Sequence, residues 1–226
     1  MVKFLLNNID LKHPVLLDIG SGKGAFLHFL KKEGVEGEGL EINQNAIEFS
    51  QKNFGLKIYR GWLGNWKTKK KYDVITAIDL IEHTTNPLKS LKQMRKLLKR
   101  EGYLLISTPD YQQMNLKRGV KRYFKLVHTY YFTKITLSSL IQQAGFKIIK
   151  TQKTKSWGKK TGSLNIIARK IKNNKNIVPL RDNAEDLIKE FQKAKRRYFF
   201  SYLVFKLGDY ISYKFKRLGL YFTKAR

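Results

Sequence analysis

Two acidic residues and two histidines stand where the sequence could carry out proton transfer. Asp79, Glu82 and His83 follow an apolar run at 72–78, and His128 lies further along the chain. A histidine can take a proton from an oxygen acceptor near neutral pH, and a nearby carboxylate can stabilise the resulting charge. The pattern makes His83 the first candidate for a general base and His128 the second. Glu82 is expected in the same acceptor cavity, with Asp79 nearer to a cofactor.

A glycine-rich turn earlier in the chain could hold one end of that cofactor. Gly20, Gly22 and Gly24 follow an apolar run at 15–17, and glycines in such a turn let backbone amides approach a ligand closely. Glu41 follows at the distance expected for a ribose contact. By themselves these residues fit both NAD and S-adenosylmethionine.

Asp18 lies two residues before the first glycine and favours one of these two cofactors over the other. Its carboxylate would repel the pyrophosphate of NAD and attract the ammonium and sulfonium groups of S-adenosylmethionine. We therefore expect S-adenosylmethionine, with Glu41 accepting hydrogen bonds from both ribose hydroxyls.

Strands that alternate with helices would bring these residues together. Apolar periodicity predicts strands at 15–17, 37–42, 57–60, 72–78, 103–107, 146–151 and 163–168, and helices from about 26, at 45–53, 87–99 and 134–144. This order predicts an α/β fold with a mostly parallel sheet and helices on both faces. Ligands gather at the carboxyl ends of the strands in such a sheet, which is where the candidate residues stand.

Composition excludes several chemistries. The chain has 226 residues and no cysteine, which removes disulfides, thiolate metal sites, iron–sulfur clusters and cysteine nucleophiles. Lys and Arg number 46 against 17 Asp and Glu, and the excess is concentrated in the second half of the sequence. The segment 111–181 has 17 basic side chains and no acidic one. Such a field attracts anionic partners, although a solvated lysine-rich surface explains it equally well.

Several blocks of the sequence together resemble the class I S-adenosylmethionine-dependent methyltransferases. The similarity is to the branch of ubiquinone-type and cell-surface saccharide O-methyltransferases, and it covers roughly residues 14–170. The blocks are VLLDIGSGKG at 15–24, GLEI at 39–42, YDVITAIDLIEH at 72–83 with NP at 86–87, LLKREGYLLISTP at 97–109, HTYYFT at 128–133 and AGF at 144–146. The resemblance implies a Rossmann-like fold with a seven-stranded sheet and a methyl-transfer reaction.

The resemblance also assigns the cofactor residues one by one. Asp18 and the turn that includes Ser21 would seat the methionine end, and Glu41 would hold the ribose. The adenine would lie beside Ile42, with the stretch containing Trp62 and Leu63 closing its other side. An ordinary packing role for Trp62 is equally compatible with its sequence position. Asp79 and Leu80 would line the cofactor site after the fourth parallel strand.

The spacing of Asp79, Glu82 and His83 resembles a magnesium site as well. Some ubiquinone-type and small-RNA 2′-O-methyltransferases use this spacing with one further histidine, which His128 could supply here. Magnesium prefers oxygen ligands and accepts few imidazoles, so the prediction is a site without metal.

The segment after the fourth predicted strand favours an oxygen acceptor. Methyltransferases that modify amino groups commonly place Asn-Pro-Pro-Tyr there, whereas residues 79–82 read Asp-Leu-Ile-Glu. We expect an anionic small-molecule acceptor that is a saccharide, lipid-linked or quinone-like. Because little chain precedes the first strand, the cap over the acceptor is expected from Tyr111–Tyr131, which is basic and aromatic. An RNA 2′-O-methyltransferase and a non-enzymatic membrane- or nucleic-acid-binding protein of the same fold remain the alternatives.

The sequence changes character near residue 170, which predicts a methyltransferase domain at 1–170 and a basic, aromatic, helical extension at 171–226. Its apolar run at 198–205 is too short to cross a bilayer but is typical of a helix on anionic lipid. Packing against the sheet domain or a second subunit, and RNA binding, are alternative interpretations. The first ten residues lack the apolar stretch of a signal peptide, so we expect a cytoplasmic protein that binds the inner membrane face if the extension binds lipid.

Overall fold

The computed structural model describes residues 1–9, 12–111, 128–154 and 162–172. The predicted extension beyond residue 172 and most of the predicted cap, at 112–127, lie outside the described residues. The elements are α1 (Val2–Leu6), β1 (Leu16–Ile19), α2 (Ala25–Lys32), β2 (Gly37–Glu41), α3 (Gln44–Phe54), β3 (Lys57–Arg60), β4 (Tyr72–Ile78), a 3₁₀ helix (Ile81–His83), α4 (Pro87–Leu97), β5 (Leu98–Pro109), α5 (Lys134–Gln143), β6 (Phe146–Lys153) and β7 (Ser163–Lys170).

Within these ranges, seven strands form one sheet in the order β3-β2-β1-β4-β5-β7-β6. The pairs from β3 through β5 are parallel, whereas β7 runs antiparallel to both β5 and β6. The predicted fold class, a mostly parallel seven-stranded sheet with helices, is therefore confirmed. The strand order reverses between β1 and β4, and a crevice for ligands opens at such a point.

Buried side chains alternate along the strands between two apolar clusters. Leu16, Val74 and Leu105 belong to one cluster, and Leu17 and Ile75 to the other. Because neighbouring residues of a strand point to opposite faces, each face of the sheet has its own core. Helices cover both faces, so the carboxyl ends of the strands are held in a fixed position.

The boundary between α4 and β5 differs from the prediction. The helix was expected to continue to Lys99 and the strand to begin at Tyr103, but α4 ends at Leu97 and β5 begins at the next residue. Leu98 is buried and pairs with Tyr72 of β4. Burial in the sheet thus outweighs the helical periodicity of this segment.

The sequence predicts almost no N-terminal segment that could cap the acceptor site, but residues before the sheet form a helix. Helix α1 buries Phe4 and Leu5 in the same cluster as Leu27 and Leu30 of α2. Its apolar residues therefore anchor an N-terminal element beside α2. Among the described residues, no helix has the length and the apolar character needed to span a bilayer.

Candidate active site

The turn after β1 adopts a backbone conformation that requires glycine. The φ angles of Gly20, Gly22 and Gly24 are 72°, 53° and 75°, in the left-handed region that other residues rarely occupy. A Cβ at Gly20 would lie 3.0 Å from Leu80, whereas a Cβ at Gly22 would meet nothing within 4 Å. The turn therefore packs against Leu80, the second residue after β4, on one side, and the described residues leave open space on the other.

Asp18 lies directly beneath this turn and is almost fully buried. Its Oδ1 accepts a hydrogen bond of 2.6 Å from the Thr76 hydroxyl. Burial, reinforced by the charge of Glu41, raises the pKa of Asp18 to about 7 even though the bond from Thr76 lowers it. A carboxyl group held in this way gains charge most readily when a cation arrives beside it.

Glu41, at the end of β2, is fixed by three backbone amides. Its Oε2 accepts from the Gly22 amide, and its Oε1 accepts from the amides of Ile42 and Asn43, each at 2.8 Å. A carboxylate has about four acceptor positions, so Oε2 keeps one position for a ligand hydroxyl. The carboxylate also ties the glycine turn to the next strand.

A cavity of about 560 Å³ opens beside Glu41. Ile42 and Trp62 line it with side chains that are 64% and 55% exposed, leaving two apolar surfaces in contact with solvent. Its other lining residues include Gly20, Leu63, Asp79, Leu80 and His83. Residues that the sequence predicts for cofactor binding, contributed after β1, β2, β3 and β4, thus meet around one cavity.

A second cavity, of about 610 Å³, lies on the other side of the turn and shares Gly20 with the first. Asp18 and Ser21 line it together with residues in or beside α1 and α2 that sequence reasoning did not assign to a site: Met1, Val2, Lys3, Lys23, Ala25, Phe26, Phe29 and Glu33. The apolar pair Phe4 and Leu5 was the signal that could have placed α1 here. Gly24 has a different role, because it precedes α2 and packs against Leu56 and Ser50.

The chain after β4 turns sharply and positions Glu82 and His83. Asp79 has a left-handed φ of 49°, and its amide donates to the Ser107 carbonyl at 2.9 Å. The 3₁₀ helix that follows buries Glu82 and leaves His83 exposed. The neighbouring side chains of Glu82 and His83 therefore lie in different environments, one in the protein interior and one in contact with solvent.

Glu82 is held from two directions. Its Oε2 accepts from the Thr108 hydroxyl at 2.9 Å, and its backbone carbonyl accepts from the amides of Thr129 and Tyr130. Its Oε1 is buried and has no hydrogen-bond partner among the described residues. Burial raises the pKa of Glu82, and the bond from Thr108 together with the nearby His83 partly offsets the rise.

The two predicted histidines lie together beside Glu82. Their ring centroids are 4.7 Å apart and the rings are nearly perpendicular. Tyr111, which sequence reasoning missed, places its hydroxyl 2.6 Å from Nδ1 of His128. One side-chain atom each of Glu82, His83 and His128 lies within 4.8 Å of the others. Of the three, His83 lines the cavity beside Glu41 in the described part of the chain.

Comparison with known proteins places this geometry in a family. The model of a family described as a methyltransferase domain matches residues 2–151, about two thirds of the chain. The chain belongs to the methyltransferase domain family. It thus carries an S-adenosylmethionine-dependent methyltransferase domain of class I, and the predicted family and fold are confirmed.

Two curated relatives give this methyltransferase its sequence context. A ubiquinone biosynthesis O-methyltransferase from Pelagibacter ubique is 33% identical over 130 residues, covering 55% of this chain and 51% of the relative. A ubiquinone biosynthesis O-methyltransferase from Coxiella burnetii is 27% identical over 114 residues, covering 47% and 48%. The chain therefore spans about half the length of the curated relatives it matches.

Solved structures support the same fold. A magnesium protoporphyrin IX methyltransferase from Synechocystis PCC 6803, solved with bound SAH, has a TM-score of 0.63 at 17% identity, covering 75% of this chain and 80% of the other. A SAM-dependent methyltransferase from Methanosarcina mazei has a TM-score of 0.61 at 19% identity, covering 75% and 98%. At these identities the likeness concerns the fold alone.

The residues of this methyltransferase fit S-adenosylmethionine in two observable ways. In the described part of the chain, the Ser21 hydroxyl in the glycine turn is buried without a hydrogen-bond partner, and the space beside Gly22 is open. An orphaned polar atom and a space that a Cβ would fill indicate a site shaped for a ligand.

The cluster of Glu82, His83 and His128 could also hold a metal ion. It differs from the four-residue set considered from the sequence, because Asp79 is outside the cluster among the described residues. Two imidazoles and one carboxylate suit transition metals better than magnesium. The prediction of a site without metal stays a prediction.

Proposed function

We propose that this methyltransferase transfers a methyl group to an oxygen atom of a small-molecule acceptor. The observation that carries the proposal is the cluster of Glu82, His83 and His128 after β4, with side-chain atoms within 4.8 Å of one another. The proton of an oxygen acceptor must be removed during the reaction, and this cluster contains two imidazoles of the type that serves as a general base. The relatives named as ubiquinone biosynthesis O-methyltransferases support oxygen as the acceptor atom.

When bound, S-adenosylmethionine supplies an electrophilic methyl carbon on a positively charged sulfur. In the proposed arrangement, Asp18 and the glycine turn receive its methionine end, and the remaining acceptor position on Oε2 of Glu41 receives a ribose hydroxyl. Ile42 and Trp62 offer apolar surfaces for the adenine because both side chains are exposed beside the cavity.

His83 is the proposed general base. It lines the cavity and is exposed, so a ring nitrogen can take the proton of an acceptor hydroxyl and release it to water. The nearby carboxylate of Glu82 stabilises the positive charge that His83 then carries. Tyr111 fixes the orientation of His128 through the 2.6 Å hydrogen bond, and His128 in turn packs edge-on against His83.

The second cavity adjoins the cavity that His83 lines, because Gly20 borders both. We place the body of the acceptor in the second cavity, with its reacting hydroxyl directed toward His83, so the lining suggests the chemistry of the acceptor. Phe26, Phe29 and Met1 give it apolar walls, and its charged lining consists of Lys3, Lys23, Glu33 and the proposed cofactor residue Asp18. With Asp18 assigned to the cofactor, two cations and one carboxyl group remain. Such a lining suits a molecule with an apolar body and an acidic group. Among the saccharide, lipid-linked and quinone-like acceptors, this favours a hydroxylated aromatic ring that carries an acid. Membrane and nucleic-acid partners and a cytoplasmic location remain predictions.

A methyl-transfer assay on the full-length protein tests the proposal. The assay supplies labelled S-adenosylmethionine and, separately, 3,4-dihydroxybenzoate, a neutral saccharide and RNA. His83→Asn is expected to lower the transfer rate to the aromatic acid by about 10² to 10⁴ while leaving cofactor affinity unchanged. His13→Asn is the matched control, because His13 is exposed before β1 and has a left-handed φ of 50° that asparagine tolerates. An unchanged rate in both His83→Asn and His128→Asn would contradict the proposal, and a chelator added to the wild type tests metal dependence.

Calorimetry with S-adenosylmethionine tests the cofactor residues separately. Glu41→Gln replaces one acceptor oxygen by a donor and is expected to weaken binding about five- to thirtyfold. Glu48→Gln is the control, since Glu48 is an exposed carboxylate on α3. Equal affinities in the two variants would remove Glu41 from the proposed cofactor site.

A further inference from the structure

A third cavity, of about 580 Å³, lies away from the methyl-transfer site and is strongly basic. Six of the nine described residues that line it are lysine or arginine, and one is acidic. The lining residues are Arg95, Arg100, Glu101, Lys147, Ile149, Arg169, Lys170, Ile171 and Lys172. A volume of this size is typical of sites for small molecules.

The basic cavity lies at the opposite end of the sheet from the candidate active site. It is built where β5 and β6 begin and where β7 ends, with Phe146 paired to Lys170 and Tyr103 paired to Arg169. Asp79 and the glycine turn follow the other ends of the parallel strands. The length of β5 therefore separates the two, a distance of roughly 20 Å or more.

Arg95 is a fixed cation in this cavity. Its Nε donates to the Gly145 carbonyl at 3.1 Å and its Nη2 donates to the Ile171 carbonyl at 2.6 Å. A Cβ at Gly145 would lie 2.5 Å from that Nε, so the glycine lets the guanidinium pack directly on the backbone. The guanidinium is thus held in place by carbonyl groups, which carry no net charge to pair with it.

Lys170 adds a second, half-buried cation. Its Nζ donates to the Leu98 carbonyl at 2.7 Å. Burial lowers the pKa of Lys170, and the positive charges of Arg95 and Lys71 lower it further. Cations that repel one another inside a cavity create a potential that a bound anion would relieve.

The acidic residue in the lining does not neutralise this potential. Glu101 is exposed and its Oε2 pairs with Arg169 at 3.0 Å. Arg100, Lys147 and Lys172 are exposed at the rim, and no ion pair involves them within the described ranges. The cavity thus combines two fixed cations with three side chains that are free to close on a ligand.

We propose that the basic cavity binds a ligand through its phosphoryl groups. Phosphate oxygens accept charge-assisted hydrogen bonds from arginine and lysine together, and arginine matches their geometry. A half-buried guanidinium beside a half-buried ammonium is a ready-made partner for a dianion, whereas a single carboxylate would leave most of the charge unpaired. The ligand is either a soluble phosphate compound or the headgroup of an anionic lipid.

Two titrations on the full-length protein distinguish these sources. One measures inorganic pyrophosphate by calorimetry, and the other measures flotation with vesicles of equal parts phosphatidylcholine and phosphatidylglycerol. The test variant is Lys147→Glu combined with Lys172→Glu, which leaves Arg95 and its backbone contacts intact. Its control is Lys52→Glu combined with Lys69→Glu, two exposed lysines on α3 and before β4 that lie outside the cavity lining. Both double variants lower the net charge of +29 by the same amount.

Pyrophosphate affinity is expected to fall at least about tenfold in the rim variant and to change little in the control. If only vesicle flotation is weakened in the rim variant and unchanged in the control, the ligand is a lipid headgroup. If both titrations show this difference, the cavity binds phosphoryl groups from either source. Equal losses of affinity in the two double variants would mean that binding depends on net charge alone, which would overturn the proposal. Absence of binding of both probes to the wild type would overturn it as well. Calorimetry with S-adenosylmethionine on each variant verifies that the fold is intact.

Discussion

Asp18 is suited to carry a negative charge for the cofactor, but in the free protein its buried position disfavours that charge. Its position under the glycine turn suits a carboxylate that attracts the positive groups of S-adenosylmethionine. The same position is buried, which raises the pKa of Asp18 to about 7. Since burial penalises the charged form, the carboxyl group is protonated over much of the range below neutral pH unless a cation is bound.

This conflict predicts a pH-dependent stability that Asp18→Asn removes. Between the ordinary pKa of 3.8 and the raised value of about 7, the folded protein keeps a proton that the unfolded chain releases. The free energy of unfolding must therefore fall as the pH rises through this window. From about pH 5 to about pH 8 the wild type is expected to lose up to about 3 kcal/mol more than the asparagine variant. Urea unfolding at several pH values measures the difference.

The comparison with Asp18→Asn isolates a single group. Glu82 also has a raised pKa, so it too lowers the free energy of unfolding as the pH rises. Because Glu82 is present in both proteins, its contribution cancels in their difference. Asparagine keeps the shape of the side chain and an oxygen for the Thr76 hydroxyl. Parallel stability curves for the two proteins would mean that Asp18 is charged in the folded state.

Sequence reasoning proposed individual site residues where a local motif carried the signal. Glu41 follows a strand at a characteristic distance, and Glu82 and His83 are neighbours after another strand. The structure brings these residues to adjoining positions, although their roles stay predictions. Tyr111 was missed because its contact with His128 joins residues 17 positions apart, and nothing in the local sequence specifies such a pair.

At the scale of elements, strands were predicted better than boundaries. The strands at 57–60 and 72–78 match β3 and β4. For β4 the reason is that a buried parallel strand is a short apolar run between turn residues. In β3, an edge strand, Ile58 is the buried residue. The start of β5 was predicted five residues too late. Residues 97 and 98 are both apolar, and such a short apolar run fits a buried helix as well as a buried strand. Helix α1 was overlooked because five residues rarely form a stable helix, and its stability comes from burying Phe4 and Leu5 against α2.

The two glycines at the ends of α2 allow the cost of a packing clash to be distinguished from the cost of a left-handed backbone. Gly24 and Gly34 have φ angles of 75° and 78°, but a Cβ at Gly24 would lie 2.5 Å from Leu56 whereas one at Gly34 would meet nothing within 4 Å. Gly34→Ala is expected to cost about 1 to 2 kcal/mol of unfolding free energy for the left-handed backbone. Gly24→Ala should cost about 1 to 3 kcal/mol more, because the methyl group overpacks the buried contact with Leu56 and Ser50.

Urea midpoints of the two alanine variants measure this difference, provided that the slope of the transition is the same in both. Equal costs would show that Leu56 moves aside freely and that the turn does not pack tightly against α3. The result would matter for the site, since the same turn holds the amide of Gly22 against Glu41.

For the whole molecule, the dominant feature is the excess of positive charge. The formal net charge is +29, and the described residues contain five ion pairs, all with at least one exposed partner. Exposed pairs contribute between about 0 and 1 kcal/mol each. Repulsion among the remaining lysines and arginines opposes the compact state more strongly than these pairs support it. The basic cavity concentrates that repulsion around Arg95 and Lys170.

Salt is therefore expected to stabilise this protein. Raising NaCl from about 0.02 M to about 0.3 M shortens the screening length several-fold, which weakens the repulsion more than it weakens the few exposed ion pairs. The thermal midpoint should rise by several degrees, since about 1 kcal/mol shifts the midpoint of a chain of this size by roughly 2 to 4 °C. The rise should shrink in both double lysine-to-glutamate variants because each has a lower net charge. Trehalose at equal osmolality controls for general solute effects, and a midpoint that falls with NaCl would mean that attractive pairs dominate the charge energetics of the fold.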